Sequence, residues 1–262
     1  MLWSLSGTLR GMKRNTILGL VGSIVVLAGL IFYSVTRPVP AKAPGVSEAL
    51  PLPAGTYSEH TAQYDIATYY ATSTPLRGAA NTAALALMEK FVSDSIGQFK
   101  SDGNFANLTP QDIEMMRGRK EKLEIMYLIA SSPHTISYIF TTYEDTLGAH
   151  GNTFFHTFTF NTSTGALVTL SDVFTLNTPY LETLSSISRT KLPGVIGSTA
   201  DASFIQNGTE PKESNFQNFF IDNSYFVVLF APYAVAPYSA GPQTLRIPMS
   251  ELGNILQIPY RP

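Results

Sequence analysis

The stretch LEIMYLIASSPHTISYIF, residues 123–140, alternates apolar and polar side chains on both sides of a short turn signal. The apolar set on one face is Leu123, Ile125, Tyr127, Ile129, Ile136, Tyr138 and Phe140. A period of two is typical of β-strands, whose successive side chains point to opposite faces. Because serine, proline and histidine separate the runs, the stretch predicts an antiparallel hairpin.

Further strands are predicted on either side of this hairpin. Residues 57–72 predict a strand pair or one long strand, and 154–160 predict a third strand of the meander. A turn at 161–165 leads into another predicted strand at 166–170. Residues 218–221 and 225–230 predict a second hairpin, and 244–247 a last strand.

Two segments change to a helical period. Residues 81–99 carry an apolar stripe, and a second helix opens at Thr178-Pro179 and is expected to stop at Pro193-Gly194. Thr109-Pro110 opens a shorter helix, residues 194–214 are expected to be mostly loop, and 250–256 predict a short terminal helix. The predicted fold class is α+β: antiparallel sheets packed with two main amphipathic helices, preceded by one N-terminal transmembrane helix.

The transmembrane prediction rests on the apolar run from Thr16 to Val35, which has no charged residue. A helix of twenty residues spans about 30 Å, the hydrocarbon thickness of a bilayer. Three basic residues precede the run, against Arg37 and Lys42 after it, which favours a cytoplasmic N-terminus. The sequence therefore predicts a single-pass membrane protein that is extracytoplasmic after about residue 36. The alternative is a secretory signal cleaved near residues 41–43.

Composition and domain order complete this outline. Residues 1–36 are the predicted cytoplasmic tail and anchor, 37–55 a proline-rich linker, and 56–142 and 143–262 two parts of the folded region. A net charge of −2 with 14% charged residues argues against nucleic acid as a partner. The absence of cysteine excludes disulfides and thiol chemistry.

Two irregular stretches hold the candidate ligand-binding residues. Residues 143–153, YEDTLGAHGNT, pack glycine, histidine and asparagine into one connection, and 231–242, APYAVAPYSAGP, repeat a Pro-Tyr unit. The candidates are Tyr143, His150, Asn152, Tyr233 and Tyr238. Aromatic rings on a proline-stiffened loop suit recognition, and the alternative is that the rings fold inward over the end of the sheet. If both loops lie at one end of the sheets, they form one surface.

The same stretches carry a family resemblance. The segments 148–153, 160–174, 215–219 and 231–242 resemble, in this order, the extracytoplasmic domain shared by RsiV-type anti-sigma factors and the N-terminal part of PdaC-type peptidoglycan deacetylases. In these terms 56–142 is the PdaC-like part and 143–262 the RsiV-like part. The resemblance implies an envelope recognition role, since the anti-sigma member binds lysozyme. The sigma-binding and metal-dependent catalytic domains of these relatives are not expected here.

The predicted function is a membrane-anchored recognition module that binds a lysozyme-like envelope protein or peptidoglycan glycan. No cofactor, metal or catalytic residue is assigned: His150 is expected to fix its loop by hydrogen bonds, and His156 to be a core residue. One alternative is an envelope glycan hydrolase or deacetylase-like enzyme that acts through acids near Glu144, Asp145 and His150, so enzymatic activity stays open. Another is a structural partner of a second membrane protein. Asp172 is assigned to a turn, and 188–191 to a solvated helix face.

Overall fold

The computed structural model describes residues 54–261. The predicted anchor at 16–35, the tail before it and nearly all of the linker lie outside the described residues. Among the described helices, none has both the length and the apolar character needed to cross a membrane. The described part contains a five-stranded and a three-stranded sheet.

The five-stranded sheet has its strands in chain order. They are β1 (Ala54–His60), β2 (Tyr64–Ala71), β3 (Glu121–Ser131), β4 (Thr135–Asp145) and β5 (Asn152–Asn161). The predicted hairpin is β3–β4, with Ile125 opposite Thr142 and Ile129 opposite Tyr138. The prediction of purely antiparallel sheets is wrong at one point, because β2 pairs with β3 in parallel. The chain between them contains a crossover helix, which is what a parallel pair requires.

The crossover helix α1 (Ala79–Asp102) extends beyond the predicted 81–99 and contacts β2 and β3. It buries Ala84, Met88, Val92 and Phe99 against the sheet, which confirms the apolar stripe. The shorter helix α2 (Pro110–Met116) follows, and Thr109 and Asp112 form its capping box. The sequence thus predicted both of these helices.

Between β5 and the second sheet the structure corrects three predictions. The expected strand at 166–170 is only the isolated bridge Phe160–Leu167, because the chain turns at once into α3 (Leu170–Val173). Asp172 forms a capping box with Thr169 there, as its assignment to a turn predicted. Helix α4 (Tyr180–Ile196) continues through Pro193 instead of stopping. Leu192 is fully buried and Ile196 packs on the core, so the last turn is held by packing.

Residues 194–214, where a loop was expected, contain helix α5 (Ala202–Gly208) and the start of helix α6 (Glu213–Phe216). Asp201 caps α5 by accepting hydrogen bonds from the backbone N–H groups of Ser203 and Phe204 at 2.8 and 3.2 Å. Phe216 of α6 is fully buried.

The second sheet has the order β6 (Phe219–Asp222), β7 (Tyr225–Phe230), β8 (Gln243–Pro248), followed by α7 (Met249–Leu252). One of its faces lies in a core with α4, and the other packs on the first sheet. That contact joins Ala130 and Ile139 to Phe220, Val227 and Leu229. Strand β4 is therefore covered on both faces. The predicted boundary at 142–143 falls inside β4, and the division into two parts stays a prediction.

Candidate recognition surface at two adjoining loops

The β4–β5 loop (residues 146–151) and the β7–β8 loop (231–242) meet through aromatic rings. The ring of His150 stacks on Tyr238, with 3.6 Å between ring centroids and 16° between planes. Its Nε2 lies 3.1 Å from the Tyr233 hydroxyl, and its Nδ1 lies 3.1 Å from the Gly151 carbonyl oxygen. In the neutral Nδ1–H tautomer, the ring donates to that carbonyl and accepts from Tyr233. The predicted hydrogen-bonding role of His150 is met by both ring nitrogens.

The carbonyl of Gly151 is the second link between the loops. The Tyr238 hydroxyl donates to it at 2.7 Å. Gly151 is buried, and a Cβ at this position would lie 2.4 Å from the Tyr143 hydroxyl oxygen, so the Tyr143 ring packs where only glycine fits. Burial raises the pKa of Tyr143 above its ordinary value. Four of the five predicted residues thus form one cluster, which we call the two-loop surface: Tyr143, His150, Tyr233 and Tyr238.

The fifth candidate, Asn152, lies beside this cluster. It is the first residue of β5, opposite Glu144, and its side chain is exposed. Tyr233 is 50% exposed, whereas Tyr238 is partly buried under His150. One tyrosine therefore projects and the other folds inward, so each of the two alternatives describes one ring.

Backbone strain occurs in both loops, and no local sequence pattern predicts it. Leu147 has φ +60° and Tyr233 has φ +68°, in the left-handed region that side chains with a Cβ rarely adopt. Each such residue costs roughly 1–2 kcal/mol and persists only where surrounding contacts fix it. The Asp145 carboxylate supports the first loop by accepting from the Leu147 N–H at 2.9 Å.

The core holds the second loop in place. Val235 and Ala236 are buried in the middle of this loop, so its ends and rings are positioned from below. Gly208, at the end of α5, approaches so closely that a Cβ there would meet the Ala234 carbonyl oxygen at 1.8 Å. The Gln243 side-chain amide donates to the carbonyls of Ala240 and Gly241 at 2.8 and 3.2 Å. These contacts make the surface preorganised.

The acids of the enzyme alternative do not converge on one cavity. Glu144 and Asp145 are consecutive residues of β4, so their side chains point to opposite faces. Glu144 lines a groove beside α1, where desolvation and the nearby Asp102 raise its pKa. Within residues 54–261, no group of three or more His, Asp or Glu side chains has the arrangement to hold a metal ion.

Two further assignments are corrected. His156 is exposed instead of belonging to the core, and its ring stacks on Phe91 with 4.7 Å between centroids because β5 is the edge of its sheet at this point. Desolvation by the neighbouring rings lowers its pKa. Ser188 is fully buried, not solvated, and its hydroxyl donates to the Leu184 carbonyl at 2.6 Å.

Residues 171–250 match the model of DUF3298, described as a protein family of unknown function. The matched segment runs from α3 to α7 and includes the β7–β8 loop of the two-loop surface.

A curated relative extends the similarity beyond this segment. Over 175 residues, 66% of this chain, the sequence is 29% identical to the peptidoglycan-N-acetylmuramic acid deacetylase PdaC of Bacillus subtilis. The match spans 36% of that enzyme's length. The predicted resemblance to the PdaC-type domain is thereby confirmed.

Two solved structures share the fold. A DUF3298 family member from Bacteroides fragilis superposes with a TM-score of 0.55 at 15% identity, covering 81% of this chain and 95% of that one. A DUF3298 family protein from Pseudomonas aeruginosa gives a TM-score of 0.50 at 12% identity, covering 81% and 97%. At these identities the likeness concerns the fold alone.

Proposed function

We propose that this protein is a membrane-anchored, extracytoplasmic recognition module of the bacterial envelope, and that its two-loop surface binds a protein ligand of the lysozyme type. The anchor is the apolar run at 16–35. The observation that carries the proposal is the contact of His150 with Tyr233 and Tyr238, which fixes two aromatic side chains at the junction of two strained loops.

A preorganised aromatic cluster favours a protein ligand for an energetic reason. Tyrosines with fixed rings lose little conformational entropy on binding, and they are enriched among the residues that dominate protein interfaces. Here Tyr233 offers a half-exposed ring, with His150 and Asn152 exposed around it as polar contacts. Backbone strain of the kind found at Leu147 and Tyr233 clusters at binding sites.

A second candidate ligand is the glycan of peptidoglycan. It is favoured by the similarity to PdaC, whose name states that it deacetylates peptidoglycan. A domain found next to such a catalytic domain could bind the peptidoglycan substrate. A glycan would need an open aromatic ring face on which to stack. One face of Tyr238 is already covered by His150, which favours the protein ligand.

Binding of the full-length protein in detergent micelles tests the proposal. Lysozyme binding is measured by biolayer interferometry, and binding to insoluble peptidoglycan by co-sedimentation. We expect Tyr233→Ala to weaken lysozyme binding about tenfold or more, since interface tyrosines commonly contribute over 1 kcal/mol. The matched control is Tyr69→Ala, an equally exposed tyrosine on β2, which should bind as the wild type does.

The outcomes separate the candidates. Saturable binding to peptidoglycan alone, lost in Tyr233→Ala, would replace the protein ligand by the glycan. Absence of both interactions in a protein shown to be folded would defeat the recognition proposal. Peptidoglycan turnover that disappears in Glu144→Gln would instead support the enzyme alternative.

A further inference from the structure

The outer edge of β5 is open over its first half. Strand β5 is the last strand of the five-stranded sheet. Its second half is covered, because the Val168 N–H donates to the Thr159 carbonyl at 2.7 Å and the Asn161 N–H to the Ala166 carbonyl at 2.9 Å. Within the described part of the chain, the backbone of residues 152–156 bonds only to β4. This leaves a row of backbone groups available for a further strand.

This open edge lacks the features that usually protect one. Residues 152–156 read NTFFH, with no lysine, proline, glycine or acid. Exposed edges of folded proteins are normally blunted by charges, prolines, bulges or covering segments, because an unprotected edge pairs with other chains. Phe154 is moreover 48% exposed. An unprotected edge next to an exposed aromatic ring indicates a binding site for an extended peptide.

Two grooves flank His156 along this edge. The first, about 370 Å³, lies between α1 and the start of β5 and is lined by Phe91, Phe154 and Glu144, among others. The second, about 380 Å³, is lined by Phe158, Leu167 and Glu213, among others. Phe154, His156 and Phe158 alternate along β5 and share one face of the sheet. The second groove is also lined by Thr157, Gln217 and Phe219 from the opposite side, so it opens at the edge of the strand. An added strand would place every second side chain on the face of Phe154, His156 and Phe158, with about 7 Å between them.

The charges of the grooves select the occupant. Their charged lining residues are Asp94, Glu144 and Glu213, and no lysine or arginine lines either groove. Asp94 is paired with Lys90 at 2.7 Å, whereas Glu144 and Glu213 have no ion pair with another described residue. Two-fold pairing of β5 with a second copy would bring these acidic grooves together, and like charges in such positions are unfavourable. The complementary occupant is basic.

We propose that the open edge of β5 takes up an extended segment of a basic polypeptide as a sixth strand, with its basic side chains over the two grooves. Backbone hydrogen bonds supply the pairing, and the aromatic and acidic lining selects the side chains. This inference does not rest on the proposed function, although the open edge begins at Asn152, beside the two-loop surface.

The test uses a labelled peptide, acetyl-Thr-Arg-Thr-Val-Thr-Arg-Thr-amide, and the full-length protein in detergent, with binding followed by fluorescence anisotropy. Its arginines and valine share one face of an extended chain. We expect saturable binding that is at least tenfold weaker for the peptide with glutamate in place of arginine. We expect the same loss for a peptide N-methylated at alternate residues, in the register that faces β5, because methylation removes the N–H donors of the added strand.

Variants locate the site. Phe154→Lys should weaken binding of the basic peptide at least tenfold, because it places a positive charge in the lining of the first groove. Glu144→Gln should weaken it severalfold, and it keeps the proposal testable if Phe154→Lys does not fold. Met126→Lys is the matched control. Met126 lies on β3, is 53% exposed and points to the face of the sheet opposite Phe154, so the same added charge should leave peptide binding unchanged. Tyr233→Ala should also leave peptide binding unchanged.

Three results would overturn the inference. The first is a folded protein that does not bind the basic peptide. The second is equal binding of two N-methylated peptides, one methylated at the N–H groups that face β5 and the other at the alternate N–H groups, which would indicate surface adsorption. The third is a concentration-dependent dimer that Phe154→Lys abolishes, which would assign the edge to a second copy of the chain.

Discussion

The two sheets differ in how many of their faces are covered, and the difference is visible residue by residue. In the three-stranded sheet all four residues of β6 and five of the six in β7 are buried. In β3 of the five-stranded sheet buried and exposed positions alternate, and Met126 and Leu128 are 53% and 62% exposed. A sheet covered on both faces needs continuous apolar runs, whereas a sheet with a solvated face needs alternation.

The same contrast applies to charge. In the three-stranded sheet the carboxylate of Asp222 is 4% exposed and pairs with Arg246 at 2.8 Å. In the five-stranded sheet Glu59 pairs with Lys100 at the rim, where both side chains are about a third exposed. A charge taken out of water depends strongly on its partner, and a charge at the rim depends on it weakly.

The largest expected effect is therefore the loss of the buried partner. Arg246→Ala leaves Asp222 charged and buried, and we expect it to lower the free energy of unfolding by about 3–5 kcal/mol. Lys191→Ala, which breaks the exposed Lys191–Glu251 pair, should cost about 0–1 kcal/mol. Urea unfolding followed by circular dichroism measures both. Similar losses in the two variants would contradict the contrast between buried and rim charges.

The second prediction compares one substitution at two positions. Leu229→Ala removes a side chain that is packed between the two sheets. Because the truncation leaves a cavity there, it should lower the free energy of unfolding by about 2–5 kcal/mol. Leu128→Ala, on the solvated face of β3, should change stability by no more than about 0.5 kcal/mol. Equal costs would show that Leu128 is covered by something beyond the described contacts.

These differences also explain which elements the sequence predicts. Hairpin β3–β4 and helix α1 have a clear period, and hairpin β6–β7 has apolar runs on either side of a turn signal, so local pattern and tertiary packing agree. Helix α5 was missed although Asp201 is a sound N-cap, because glycine, asparagine and threonine dominate its surroundings and only Ile205 is buried. Helix α4 continues past Pro193 because Leu192 packs in the core, and a local sequence pattern cannot predict such tertiary packing.

The candidate site was predicted to a similar extent. Glycine, proline and aromatic content identified both loops, and four of the named residues do cluster. Their mutual contacts depend on the β4–β5 and β7–β8 loops lying next to each other, which is a property of the tertiary fold. The left-handed backbone of Tyr233 and the grooves beside His156 were not predicted. The sequence NTFFH at residues 152–156 could have indicated the open edge beside these grooves, because an exposed edge strand usually carries charged residues or proline.

A smaller effect is expected from pH at the rim of the first sheet. Hydrogen bonds from Lys100, Tyr57 and Tyr64 lower the pKa of Glu59 from 4.5 to about 2. Since the folded-state pKa is depressed, this stabilisation is complete above pH 4.5 and is lost as the pH falls toward 2. Glu59→Gln should therefore lose less stability than the wild type between pH 4.5 and 2. Glu89→Gln, on the exposed side of α1, controls for the removal of one carboxylate.

The smallest effect concerns a hydroxyl in the core under α1. The Tyr138 side chain is fully buried, and its hydroxyl has no hydrogen-bond partner among the described residues. An unpaired buried donor is unfavourable, so Tyr138→Phe should leave the free energy of unfolding unchanged or raise it by up to about 1 kcal/mol. Tyr64→Phe is the matched control: it removes a hydroxyl that donates to Glu59, and it should lower stability. Thermal unfolding of the two variants thus gives opposite signs for one chemical change. A loss of stability in Tyr138→Phe would mean that the hydroxyl has a partner in the folded protein, and the helix-covered core would then be as fully satisfied as the core around Asp222 and Arg246.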